Sequence, residues 1–222
     1  MTRTLLFLAL TALSASALAQ DGRDIDKVNG HITAEAGTRY GDLSTVNGGI
    51  DLESGANARD VETVNGGIEA GDGVSTGGVE TVNGSIRFGR DARIDGDLET
   101  VNGSIFVDRG GDVRGKVTTV NGAIGLVDND VGGGIETVNG DVTVGVGSHV
   151  KGGILVDKPN GNFGIRFGKQ KIPRIVIGPN AVVDGPLVFK REVTLYVHAS
   201  ARTGQVTGAT AIRYGGASPP RD

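Results

Sequence analysis

Thr45-Val-Asn-Gly-Gly-Ile50 returns as Thr63-Val-Asn-Gly-Gly-Ile68, Thr81-Val-Asn-Gly-Ser-Ile86, Thr100-Val-Asn-Gly-Ser-Ile105 and Thr119-Val-Asn-Gly-Ala-Ile124, at spacings of eighteen or nineteen residues. Degenerate copies flank the series: Val28-Asn-Gly-His-Ile32 before it, Thr137-Val-Asn-Gly-Asp-Val142 and Pro159-Asn-Gly-Asn-Phe163 after it. A fixed period of this size marks a solenoid, in which each repeat is one turn that buries its apolar side chains only against its neighbours.

Within one repeat, Val61-Glu62-Thr63 and Ile68-Glu69-Ala70 alternate apolar and polar residues, so both read as short half-buried strands. Asn65-Gly66 between them is a turn signal, because both residues tolerate positive φ. A lone unit of this kind would read as a hairpin. The strict repeat instead favours pairing of each strand with its counterpart one coil away.

Aligning the coils on Asn-Gly produces apolar columns. One holds Ile32, Ile50, Ile68, Ile86, Ile105, Ile124 and Val142; two residues later come Ala34, Leu52, Ala70, Phe88, Val107, Leu126 and Val144. Leu43, Val61, Val79, Leu98, Val117 and Ile135 form another column. A looser side holds Ala58, Val74, Ala92, Ile94, Val113, Val131 and Val150. Three short apolar sides per turn predict an all-β chain, a single-stranded parallel β-solenoid of triangular section.

The column Asn47, Asn65, Asn83, Asn102, Asn121 and Asn139, extended by Asn29 and Asn160, has two readings. Identical amides stacked at the strand spacing of about 4.8 Å can hydrogen-bond along the axis; alternatively they line a ligand face. The turn glycine after every copy favours the structural ladder. The threonine column reads the same way. An exposed threonine row could organise water, as in ice-binding solenoids, but Glu62, Glu80, Glu99 and Glu136 place a charged row beside it.

Glycine contributes 39 of the 222 residues, far above the usual share of about 7%. Its register with branched aliphatics marks turns in a folded array, not a flexible linker. Aromatics make up 4% and tryptophan is absent, which argues against a bulky globular core. The net charge of −4 is mild and its signs are interspersed, so nucleic-acid binding has no support.

The first nineteen residues have the pattern of a signal peptide. Arg3 is followed by the apolar run Leu5 to Leu13 and the small-residue site Ala17-Leu18-Ala19. The run is about half the roughly twenty residues a membrane span needs, and no later segment is long and apolar enough. No cysteine is present to form a disulfide or carry a lipid. The expectation is an exported protein, periplasmic or secreted to the cell surface, with no transmembrane segment in the mature chain.

The organisation expected is residues 1–19 as signal peptide, 20–157 as the repeat solenoid, 158–171 as an irregular coil or loop, 172–213 as further coils and 214–222 as a flexible tail. The coils after Pro173 follow another motif. Gly178-Pro-Asn-Ala-Val-Val-Asp-Gly-Pro-Leu187 matches Gly89-Arg-Asp-Ala-Arg-Ile-Asp-Gly-Asp-Leu98 almost position for position.

On these residues the chain resembles two families. The Thr-Val-Asn-Gly-Ser-Ile repeats, from about Lys27 to Val156, look like those of exported bacterial β-solenoids of the adhesin type. The segments Arg90–Leu98 and Ile175–Gly208 look like bactofilins, polymer-forming bacterial cytoskeletal proteins. The second resemblance implies a right-handed, triangular β-helix; period and composition do not fix handedness. The signal peptide departs from bactofilins and argues against a cytoplasmic role, though not against polymerisation.

Chemistry is sparse. His31, His149 and His198 lie far apart in the repeat order, and His31 fills a variable outward position. Asp95 with Asp97, and Asp128 with Asp130, sit in short turns without a loop to wall a cleft. Asp128-Asn129-Asp130 lacks the further oxygen ligands of a calcium loop and reads as a solvated turn. No catalytic, cofactor-binding or metal residue is assigned, and no cofactor is expected. The expected role is non-enzymatic: an envelope scaffold, adhesive surface or polymer subunit, with an envelope protein or polysaccharide as partner. The alternative is a periplasmic carbohydrate-active or carbohydrate-binding β-helix. Asp21–Asp26 and the Tyr214 tail are candidate caps; without caps, copies could stack end to end into a homopolymer.

Overall fold

The computed structural model describes residues 22–159 and 171–220. Among these the chain is all-β, with no helix, wound as a parallel β-solenoid of about ten coils. Three sheets of parallel strands form its sides. The first has ten strands, of which Val61–Asn65 is typical; the second has ten, typified by Ile68–Ala70; the third has seven, typified by Ser75–Thr76. Consecutive strands never pair as hairpins. Thr63 pairs with Thr81 and Ile68 with Ile86, each one coil onward.

The columns read from the sequence point inward. Ile50, Ile68, Ile86 and Ile105 are fully buried, as are Leu43, Val61, Leu98 and Val117. Phe88, the largest of the fully buried side chains, lies in register with Ala70, so bulk and space alternate along the axis. The looser side resolves into two columns. Ile94, Val113, Val131 and Val150 belong to the third sheet, while Ala56, Val74, Ala92, Asn129, Ser148 and Ala181 line the corner before it. Each fully buried aliphatic side chain contributes about 1.5–3 kcal/mol, so the single-file core is what holds coil to coil.

Two of the three corners use glycine for different reasons. At the corner entering the third sheet, Gly37, Gly55, Gly73, Asp91, Gly110, Asp128, Gly147 and Asn180 all have positive φ. Aspartate and asparagine are the non-glycine residues that tolerate it. Among the described Asn-Gly pairs the expected positive φ is found only at Gly30. Gly66, Gly84, Gly103 and Gly122 are required there by close approach: a Cβ would lie 1.8–1.9 Å from the glycine carbonyl of the coil before. The Asn-Gly pair is therefore an axial contact, not a left-handed turn.

One coil is enlarged. Val142 pairs with Ile175 and His149 with Val182, 33 positions on instead of 18 or 19. The extra chain lies between the strands Ile154–Val156 and Arg174–Ile177, at the Asn-Gly corner. Most of the irregular segment expected at 158–171 falls outside the described residues, as do Asn160, Phe163, Phe167 and the signal peptide expected at 1–19.

The candidate N-terminal cap is instead a rung of the solenoid. Arg23–Asn29 is the first strand of the first sheet, and Ile25 pairs with Leu43. At the other end Tyr214 closes the last strand, Ala211–Tyr214, and packs outside the second sheet with Val176 and Tyr196. The Pro220 carbonyl accepts from Arg174 Nη2 at 2.6 Å, so the tail runs back along the flank and not across the end.

Candidate functional site

Each residue of the Thr-Val-Asn-Gly signature has a distinct task. The threonines face inward, and Thr45, Thr63, Thr81, Thr100, Thr119 and Thr137 are buried. The first five donate their hydroxyls to a glycine carbonyl of the preceding coil, Thr63 to Gly48 at 2.8 Å and Thr81 to Gly66 at 2.9 Å. Thr137 instead accepts from the Gly140 N–H at 3.0 Å. With the threonine row inside, no threonine face meets solvent at this column.

The asparagines follow at the corner. Asn47 Nδ2 donates to Asn29 Oδ1, Asn65 to Asn47 and Asn83 to Asn65, each at 3.0 Å. Asn102 donates to Asn83 and Asn121 to Asn102 at 2.9 Å, and Asn139 to Asn121 at 2.8 Å. These amides form one continuous file, exposed to solvent up to Asn121. Arg191 ends it: its Nη1 donates to Asn139 Oδ1 and, at 2.9 Å, to the Val138 carbonyl. A guanidinium from a later coil thus donates to the last amide of the described file. Nothing in the sequence pattern pointed to Arg191, because its partner lies 52 positions away.

Outside the first sheet, Glu62, Glu80 and Glu99 stack in register. All three are held above the ordinary glutamate value. Burial is the first cause in each, followed by neighbouring carboxylates: Asp60 for Glu62, Glu99 and Glu62 for Glu80, and Asp97 for Glu99. Glu136, in the same row, is paired with Lys116 at 2.9 Å.

The structure keeps the three histidines apart. His31 Nε2 lies 2.9 Å from Asp51, His149 Nε2 lies 2.6 Å from Asp184, and His198 Nδ1 lies 2.8 Å from the Ser200 hydroxyl. The first aspartate pair is likewise committed locally, and in the second Asp130 lies 3.8 Å from His149 Nδ1. Asp95 binds Arg114 at 2.9 Å, and Asp97 accepts from the Lys116 N–H at 2.7 Å. Among the described residues no cluster of three histidines or carboxylates could hold a metal ion.

Asn129 departs from the solvated turn expected of it. It is 2% exposed and lies in the corner column of small residues. Its Oδ1 accepts from the Gly111 N–H, and its Nδ2 donates to the Val107 and Val127 carbonyls at 2.8 and 3.0 Å. A buried amide with its bonds made is a structural part.

One open concavity of about 310 Å³ lies beside the third sheet near the N-terminal end, with Arg39, Asn57, Arg59, Ser75 and Asp95 around its rim. Arg59 is engaged by Asp42 and Arg39 is exposed. Its lining carries one carboxylate, Asp95, which is paired with Arg114 at 2.9 Å, beside polar groups that can hold a polar ligand.

Comparison of the chain with protein-family models, curated proteins and solved structures finds no match. Among the described residues no helix is long and apolar enough to cross a membrane.

Proposed function

We propose that this chain is a non-enzymatic rigid rod of the cell envelope, an exported scaffold or adhesive protein that works through its flanks. The observation that supports it most is the shortness of the corners. Seven successive coils return at 18 or 19 residues, so among the described residues polar side chains stand in flat rows and not in walled clefts. Rows of this kind suit an extended partner, an envelope protein or polysaccharide, contacted over several coils. The adhesin-type repeats agree with this role, and the bactofilin-like coils agree with a polymer subunit as its nearest rival.

A carbohydrate-binding role is the second reading, favoured by the polar concavity around Arg39, Asn57 and Ser75. The test is the mass and shape of the chain as the cell leaves it, by light scattering and electron microscopy, with mass spectrometry of its N-terminus. Single rods about 50 Å long, ten coils at roughly 4.8 Å, support the flank reading. Filaments would make polymer formation the function. Thermal stabilisation by a glycan, lost in Arg39→Ala, would favour the second reading.

A further inference from the structure

Two of the three sides run the whole length of the described rod, while strands of the third begin only at Ser75–Thr76. The first sheet begins with Arg23–Asn29 and finishes with Val206–Thr207, and the second begins with Ile32–Ala34 and finishes with Ala211–Tyr214. Among the described residues each terminal strand has one unpaired edge, a template for another chain. Continuing the register past the last coil would set Ile25 of a second copy on Val206 and Ile32 on Ala211. Ile25, Val206 and Ala211 are only partly buried against the core. On these two sides register and apolar surface alike favour head-to-tail stacking.

Each end, however, carries a cation in an inward column. Lys27 pairs with Thr45 and so heads the buried threonine column. Arg213 pairs with Val197 and so ends the column Ala34, Leu52, Ala70, Phe88, Val107, Leu126, Val144, Ile177 and Val197, every other member of which is buried.

Among the described residues Lys27 also fills a role that a neighbouring coil fills elsewhere. In later coils the corner carbonyl accepts from the isoleucine N–H of the coil before: Gly49 from Ile32, Gly67 from Ile50, Ser85 from Ile68. The equivalent carbonyl in the first coil is that of His31, and Lys27 Nζ donates to it at 2.5 Å. Arg213 Nη1 similarly reaches the His198 carbonyl, at 3.4 Å.

We infer that Lys27 and Arg213 guard the end faces against stacking by a second copy of this chain, so that the rod stays single. Stacking would enclose both cations in one apolar interface, with Arg213 against Ala34 and no carboxylate in either column to pair them. Inward-pointing charge is a known means of blunting sheet edges, because desolvating an unpaired charge opposes association.

The test replaces each guard with the residue its own column uses, Lys27→Thr with Arg213→Val, in the otherwise intact protein. Light scattering over a wide concentration range should show wild type at constant mass. The double variant should at least double its mean mass as concentration rises, with rods lengthening in electron micrographs. Lys27→Glu with Arg213→Glu keeps a charge at both ends and should remain single. Lys151→Thr with Arg93→Val removes the same charges from the flank and should also remain single. A monomeric Thr/Val variant with an intact melt, association of the flank control, or association of wild type itself would each overturn the inference.

Discussion

The Thr81 hydroxyl donates to the Gly66 carbonyl of the preceding coil at 2.9 Å, and the Cβ that Gly84 lacks would stand 1.8 Å from that same carbonyl. One carbonyl oxygen thus dictates two letters of the signature. The threonine supplies its hydrogen bond, and the glycine leaves room for the coils to approach. A few positions earlier, Thr76 shows the opposite case. It sits in the inward third-sheet column with Ile94, is 4% exposed, and its hydroxyl has no hydrogen-bond partner.

The two threonines should answer the same substitution with opposite signs. Thr81→Val strands a carbonyl acceptor and should cost about 1–2 kcal/mol, whereas Thr76→Val removes an unmade bond and should stabilise by about 1 kcal/mol. Chemical denaturation of both variants measures this. Equal signs would show that hydroxyl bonding does not separate the two sites.

Glycine substitutions should separate the two corners. Gly73 has φ +68° and no atom within 4 Å of its absent Cβ, so Gly73→Asn should change stability by under about 1 kcal/mol. At Gly84 an asparagine, or even an alanine, must push two coils apart, and the cost should be about 3 kcal/mol or more. Thermal melts of Gly73→Asn and Gly84→Ala decide the matter, and similar losses at both would refute the distinction.

The coil length and the inward columns were legible in the sequence because a solenoid writes the same contact many times over, and alignment averages out the exceptions. The direction of the threonines was harder to read. Alternation does not say whether a threonine beside a glutamate faces in or out until its acceptor, the Gly66 carbonyl in the case of Thr81, is known. The single events were not legible at all. Arg191 meets Asn139 across the enlarged coil, and Tyr196 is covered by Arg174, whose guanidinium lies 4.8 Å from its ring centroid. Neither contact is repeated, so no column reveals it. Asn129 could have been found, since it aligns with Ala56, Val74 and Ala92, but the flanking aspartates drew the reading toward solvent.

Removing the terminator of the amide file should loosen the coils near it. Arg191→Ala leaves the Val138 carbonyl and the Asn139 amide oxygen without a charged donor, and such bonds are worth about 1.5–3 kcal/mol. Because each coil touches only its neighbours, the loss should be local. Hydrogen exchange should speed up around Val138 and Asn139 while Thr63 to Asn83 keep their protection. Uniform loss along the rod would instead mean that the coils unfold as one unit.

The glutamate row should make stability depend on pH in the direction opposite to ordinary acid denaturation. For Glu62, Glu80 and Glu99 the folded-state value is raised above the unfolded one, so protonation is favoured in the folded rod. Their contribution is fully present below the ordinary glutamate value of 4.5 and is lost as pH rises through the raised folded value. Glu80 is the member with glutamates on both sides, and like charges one strand apart cost about 0.2–1 kcal/mol. Glu80→Gln should therefore melt higher than wild type at neutral pH, and the advantage should fade as pH falls to 4.5. The paired carboxylates act with the other sign. Asp72, lowered mainly by its hydrogen bonds from Arg90, stabilises above the usual aspartate range and loses that contribution in acid. Comparing melting temperatures of Glu80→Gln and Asp72→Asn across pH isolates the two effects. If Glu80→Gln melted lower than wild type at neutral pH, the stacked carboxylates would be contributing stability, for instance by sharing a bound cation, and not repelling one another.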